Sequence, residues 1–184
     1  MENFDFNEKN KEVAEQYSIG NGELFEILEG DNIVRVLSGY SVVARHWQGI
    51  REDNPICFGE DKGCPFHEKL EDSELKYPLR IRCIFWLLDR RDEKIKLAFM
   101  PYKFASLIAK LQKDKEWEFE NVPMPYDVNF TAQGANTKEV EYSLLPMTSR
   151  KKLSNETIGE LALKKSVLDI AASMKQRSQE QAGK

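Results

Sequence analysis

Residues 46 to 67 hold both histidines of the chain and two of its three cysteines. As ligands they read His46-x10-Cys57-x6-Cys64-x2-His67. Zn2+ takes four tetrahedral ligands from thiolate sulfur and imidazole nitrogen, and this stretch offers two of each. The Cys64-Pro65-Phe66-His67 end is a knuckle, a tight turn that brings two ligands to one ion. Gly59 and Gly63 supply the backbone angles that a metal loop needs. The stretch has little strand or helix pattern of its own, and a loop this long inside a compact domain needs something to order it. Two buried thiols and two surface imidazoles could fall this close by chance. The ligand count closes at four and uses every histidine, which favours the metal. Four protein ligands make a structural site, because a catalytic one keeps a position open for water. A zinc deaminase is excluded: Trp47-Gln48 follows His46 where that signature needs Glu, and no Pro-Cys-x-x-Cys follows.

At 184 residues, with 41% hydrophobic content, the expectation is one domain with extended ends. No apolar run reaches the length that spans a bilayer, so no membrane partner is expected. The start of the chain lacks a signal-peptide pattern. An odd cysteine number at metal-like spacing favours a reducing, cytoplasmic setting. Cys83, the remaining cysteine, lies in an apolar run and reads as a small core residue, since no histidine is left to activate it.

The net charge of −4 is unevenly spread. Residues 1 to 31 hold nine acids and two bases, while the remainder holds 22 acids and 25 bases. Such asymmetry marks an acidic arm beside a binding body, or a solvated surface with no role. Residues 1–23 read as that arm, with Phe4 and Phe6 as its large apolar residues.

Strands are expected at Ile33–Leu37, interrupted by Arg35, and at Tyr40–Ala44. Leu79 to Leu88 is the expected central strand. Period two puts Ile81, Cys83, Phe85 and Leu87 on a core face and Arg80, Arg82, Ile84 and Trp86 on the other. The return strand, Lys94 to Met100, turns Ile95, Leu97 and Phe99 inward. The hairpin is thus expected to present Arg80, Arg82, Lys94, Lys96 and Trp86 on one side, with Arg90 and Arg91 at its tip. Lys and Arg track phosphates and aromatic rings stack on bases, so this side fits a single-stranded nucleic acid. The competing reading makes Trp86 core and the arginines solvating groups. A helix opens at Pro101, with Phe104, Leu107, Ile108 and Leu111 at i, i+3, i+4, i+7. Tyr126–Ala132 and Glu139–Leu145 form a second hairpin whose outer face, with Asp127, Asn129, Glu139 and Glu141, is too acidic for phosphate. After the basic linker Arg150-Lys151-Lys152, a terminal helix begins near Ser154 to Thr157. Thr157 and Glu160 are spaced as its capping box, and Leu163, Val167, Ile170 and Met174 form its apolar stripe. The expected divisions are 1–23 (arm), 24–149 (core) and 150–184 (linker and helix).

Strands of this kind in a small chain suggest a mainly β fold with α, an OB-fold-like barrel carrying a zinc-loop insertion and a C-terminal helix. The order His46, Cys57, Cys64-Pro65-x-His67, then a basic and aromatic strand pair, then a short helix, resembles the zinc-containing single-stranded DNA-binding proteins of phages, of the T-even helix-destabilising type. The resemblance covers residues 24 to 175 in layout and is sharpest from Val43 to Leu111. It implies structural Zn2+ on His46, Cys57, Cys64 and His67. It also implies cooperative coating of single-stranded DNA in replication, repair and recombination, with replication or recombination proteins as partners and self-association along the strand. Three departures stand out. The knuckle ends in His67 where the T-even type has Cys, the C-terminal tail is short and mildly basic, and the N-terminal arm is acidic. The nucleic-acid contacts expected on this reading are Arg35, Arg80, Arg82, Trp86, Arg90, Arg91, Lys94 and Lys96. No paired acid and base, activated nucleophile or phosphate loop is present to make the chain an enzyme. Alternatives are an RNA-binding protein, separable only by contacts to the 2′-hydroxyl, and a zinc-stabilised protein-interaction module working through the terminal helix.

Overall fold

The computed structural model describes residues 24–47, 55–70, 74–135, 139–148 and 151–183; the acidic arm lies outside them. The strands are β1 (Gly30–Val36), β2 (Ser41–His46), β3 (Leu79–Asp89), β4 (Lys94–Pro101), β5 (Val128–Gln133) and β6 (Glu141–Pro146). The helices are α1 (Tyr102–Leu111), α2 (Asn155–Leu163) and α3 (Val167–Ala182). The architecture is mainly β: one six-stranded antiparallel sheet with the helices packed on it.

The sheet is organised by β3. Along one edge it pairs with β4 from Arg82↔Pro101 to Asp89↔Lys94. Along the other it meets β2, from His46↔Leu79 to Ser41↔Ile84, and then β1, at Val36↔Leu87 to Val34↔Asp89. Four residues, Leu37 to Tyr40, therefore oppose only Phe85 and Trp86. This is a bulge, which bends the strand and strengthens its twist. Ser38 fills the interrupted ladder: its Oγ accepts from the Trp86 amide at 2.9 Å. β1 also pairs with β5, and β5 with β6. Among the described residues no ladder joins β4 to β6, so the sheet is open and the expected closed barrel is not formed.

Both faces of the sheet are buried at its centre, which explains the continuous apolar run Cys83–Leu88. On one face Cys83, Phe85, Leu87, Ala98 and Met100 pack with Phe104 and Ile108 of α1 and with Phe130 of β5. On the other, Ile84, Trp86, Leu88, Ile95 and Leu97 pack with Val167, Ile170, Ala171 and Met174 of α3. Period two correctly separates Cys83, Phe85 and Leu87 from Ile84 and Trp86, but the second set is core as well. The register also corrects the expected basic side. Trp86 pairs with Leu97, whereas Lys94 and Lys96 pair with Asp89 and Leu87. Paired residues share a face, so the two lysines lie on the face opposite Arg80, Arg82 and Trp86. Ile81, expected in the core, is exposed at the strand's start.

α1 begins after Pro101, as its proline and i, i+3, i+4 pattern predict. The C-terminal segment is two helices rather than one. Ser154 caps α2 by accepting from the Thr157 amide, and Ser166 caps α3 by accepting from the Asp169 amide. The N-cap is thus Ser154 and not Thr157. The second serine cap restarts the chain in a new direction, which leaves Leu163 at 87% exposure while Val167, Ile170 and Met174 are buried. No described helix is long and apolar enough to cross a membrane.

Candidate metal centre and basic surface

The metal loop is built onto the end of β2. The His46 amide donates to the Pro55 carbonyl at 3.0 Å and the Cys57 amide to the Ala44 carbonyl at 2.8 Å. This short antiparallel pairing brings the first histidine and first cysteine together. Gly59 then turns the chain at φ +111°, a backbone angle that favours glycine. Its carbonyl accepts from the Cys64 amide, and the Cys64 carbonyl accepts from the His67 amide at 3.1 Å, closing the knuckle.

His46, Cys57 and His67 each place a ligand atom within 4.8 Å of the others, and this group could hold a metal ion. Cys57 Sγ lies 2.9 Å from His67 Nε2. Cys64 adjoins the trio through His46, its Sγ 3.4 Å from His46 Nε2. Zn–S and Zn–N bonds set ligand atoms about 3.5 Å apart in a tetrahedron. The second contact matches that value and the first is tighter. His46 Nδ1 faces the Tyr77 carbonyl at 3.2 Å, which orients the ring and leaves Nε2 for the ion. Phe58 and Phe66 wrap the cysteines in a small apolar cluster. Burial holds the His46 imidazolium below its ordinary pKa; the Tyr77 carbonyl opposes this and His67 reinforces it. Burial likewise pushes the Cys57 thiol up. The one sulfur and two nitrogens of the trio are compatible with Zn2+.

The residues expected to contact nucleic acid separate into groups. Arg35 is 2% exposed and its Nε donates to Asp127 Oδ1 at 2.6 Å. Arg90 donates to both oxygens of the same carboxylate. Arg91 and Lys96 converge on Asp89, which is fully buried. Burial alone would raise the Asp89 pKa, but hydrogen bonds from Arg91 and Lys96 hold it below the usual carboxylate range. Trp86 is 3% exposed, and its Nε1 donates to the Lys165 carbonyl at 2.9 Å. Arg35, Trp86 and Lys96 are therefore packed into the fold, and neither Trp86's ring nor Arg35's guanidinium faces solvent. Lys94 is exposed but on the other face.

Arg80 is exposed at the start of β3, and Arg82 is half-buried two residues on. The register adds Arg45, which is the direct cross-strand partner of Arg80, while Val43 pairs with Arg82. The Arg45 guanidinium lies over the Phe99 ring at 5.7 Å, and that of Arg80 over the Trp47 ring at 3.6 Å. The sequence pattern does not mark Arg45 or Trp47 as contacts, and it turns Phe99 inward. The usable signal for the first two was their position on either side of ligand His46. Glu139 and Glu141 are exposed, at the other end of the sheet from this surface.

No protein-family model, no curated protein and no solved structure matches this chain.

Proposed function

We propose that the protein binds single-stranded DNA without sequence preference, in replication, recombination or repair. It does so through Arg45, Arg80 and Arg82, and a structural Zn2+ on His46, Cys57, Cys64 and His67 fixes the adjoining loop. The observation that carries this reading is the cross-strand juxtaposition of Arg45 and Arg80, with Arg82 beside them on the same face. Guanidiniums grouped on one face can meet successive phosphates, and each neutralised phosphate releases counterions. Aromatic rings under two of the guanidiniums add stacking surfaces. The strand order also supports the reading. A bulged first strand (β1 and β2) pairs with β3, β3 pairs with β4, α1 follows, and β5–β6 returns to pair with β1. That arrangement fits an OB-type, partly open barrel, and the proposed kinship is with the zinc-containing phage proteins of the same activity.

The test is the salt dependence of oligo-dT binding. Each phosphate contact to a single strand contributes about −0.7 to the slope of log K against log salt. Arg80→Ala and Arg82→Ala should each shrink the slope by about that amount, with the fold and metal content intact. Unchanged slopes in both variants would refute the assignment of this face.

A protein-interaction role is a second reading, favoured by Ile158, Leu163 and Leu168, which α2 and α3 expose at 50%, 87% and 68%. It predicts no affinity for oligonucleotides.

A further inference from the structure

We propose that Trp47 is a base-stacking residue, and that Arg80 occupies its ring in the free protein and yields it to a nucleobase on binding. This rests on the single-stranded nucleic-acid reading above and names the group that meets the bases. The chain has three tryptophans. Trp86 is buried beneath α3 with its indole N–H bonded to the Lys165 carbonyl. Trp117 packs its ring against Tyr126 at 5.3 Å. Trp47 is half-buried, and among the described residues the Arg80 guanidinium lies over its ring at 3.6 Å. That spacing is the thickness of one stacked planar group, the same space a base needs.

The backbone on both sides of the ring is anchored. The Trp47 amide donates to the Pro78 carbonyl at 2.8 Å. The preceding residue, His46, is fully buried, with its Nδ1 against the Tyr77 carbonyl. A rigid aromatic on a fixed backbone can stack with little loss of side-chain freedom. Arg80 is exposed and has no carboxylate partner among the described residues, unlike Arg35, Arg90 and Arg91. An exposed cation–π contact is weaker than a base–aromatic stack, so a base can displace it. The displaced guanidinium remains within side-chain reach of the adjoining phosphate, where it makes charge-assisted hydrogen bonds. One exchange thus makes two contacts with the strand, and neither reads base identity.

The test compares oligo-dT with an abasic strand of equal length, by anisotropy, for the wild-type protein, Trp47→Ala and Trp47→Phe. Far-UV circular dichroism and metal content verify each fold. The wild type should prefer oligo-dT by roughly 5- to 150-fold, the range of one base–aromatic stack. Trp47→Ala should lose most of that preference, and Trp47→Phe should keep most of it. Tryptophan emission should be quenched by oligo-dT in the wild type and not in Trp47→Phe. A folded Trp47→Ala that keeps the full preference, or a Trp47→Phe still quenched as strongly as wild type, overturns the inference while leaving nucleic-acid binding in place. If the wild type binds neither strand, the functional reading itself falls, and this inference with it.

Discussion

Arg35 decides between two accounts of this sheet, because the strand pattern makes it a ligand contact and the fold makes it a buried ion-pair member. Its side chain is 2% exposed and that of Asp127 is 7% exposed. Arg35→Met removes the Nε–Oδ1 contact of 2.6 Å and the donation from Nη1 to the Lys151 carbonyl. Asp127 keeps Arg90, whose Nη2 lies 3.0 Å from Oδ1, so the carboxylate is not left alone. That puts the loss at the low end of the range for a broken buried pair, about 3 kcal/mol. The lost carbonyl hydrogen bond adds about 1 kcal/mol. With a urea slope of about 2 kcal/mol per molar, the unfolding midpoint should fall by roughly 2 M at an unchanged slope. Asp127→Asn should cost more, because it sets both guanidiniums against a neutral amide. The affinity of the folded Arg35→Met protein for oligo-dT should match the wild type. A stability change under about 1 kcal/mol, or a loss of affinity at unchanged stability, would refute this reasoning.

Other consequences follow from the same geometry. Cys64→Ser should lower metal content and thermal stability together, since metal binding contributes to folding free energy; a fully folded, metal-free variant would remove the structural role. Asp89 is held below its unfolded pKa, so between the two values the unfolded chain binds more protons. Stability should therefore fall as the pH drops below about 4, and urea midpoints against pH should show a smaller acid loss in Asp89→Asn, from a lower starting value. Met174→Ala, at a residue 1% exposed, should cost about 2–5 kcal/mol by leaving a cavity. Leu163→Ala, at 87% exposure, should change stability by less than about 0.5 kcal/mol; equal costs in denaturant would mean that α3 does not seal the sheet.

Local chemistry was legible in the sequence, and tertiary cover was not. His46, Cys57 and His67 could be named from spacing because short turns within one loop bring them together, with Cys64 beside His46. Phe104 and Ile108 of α1 could be placed in the core because the helical period fixes their face. The helix was delimited by Pro101. Trp86 failed as a surface residue because the segment that covers it, Val167 to Met174, lies some eighty residues along the chain. Nothing in the alternation of β3 announces a second packed face. Arg35 failed for a related reason: its partner Asp127 is 92 residues away and sits in a run that reads as acidic surface. Lys94 and Lys96 were placed on the wrong side because the turn sets the β3–β4 register, and either strand's pattern alone leaves that register open. Arg45 and Trp47 flank ligand His46 in sequence, and only the register makes Arg45 the partner of Arg80.

Whether the surface of Arg45, Arg80 and Arg82 meets single-stranded DNA is read most directly from the anisotropy of labelled oligo-dT, titrated with the protein at low and moderate salt beside a duplex of equal length. Binding should be tight to the single strand and weak to the duplex, with an affinity that falls as salt rises. Absence of binding to the single strand at low salt, or equal binding to strand and duplex, would contradict the proposed function.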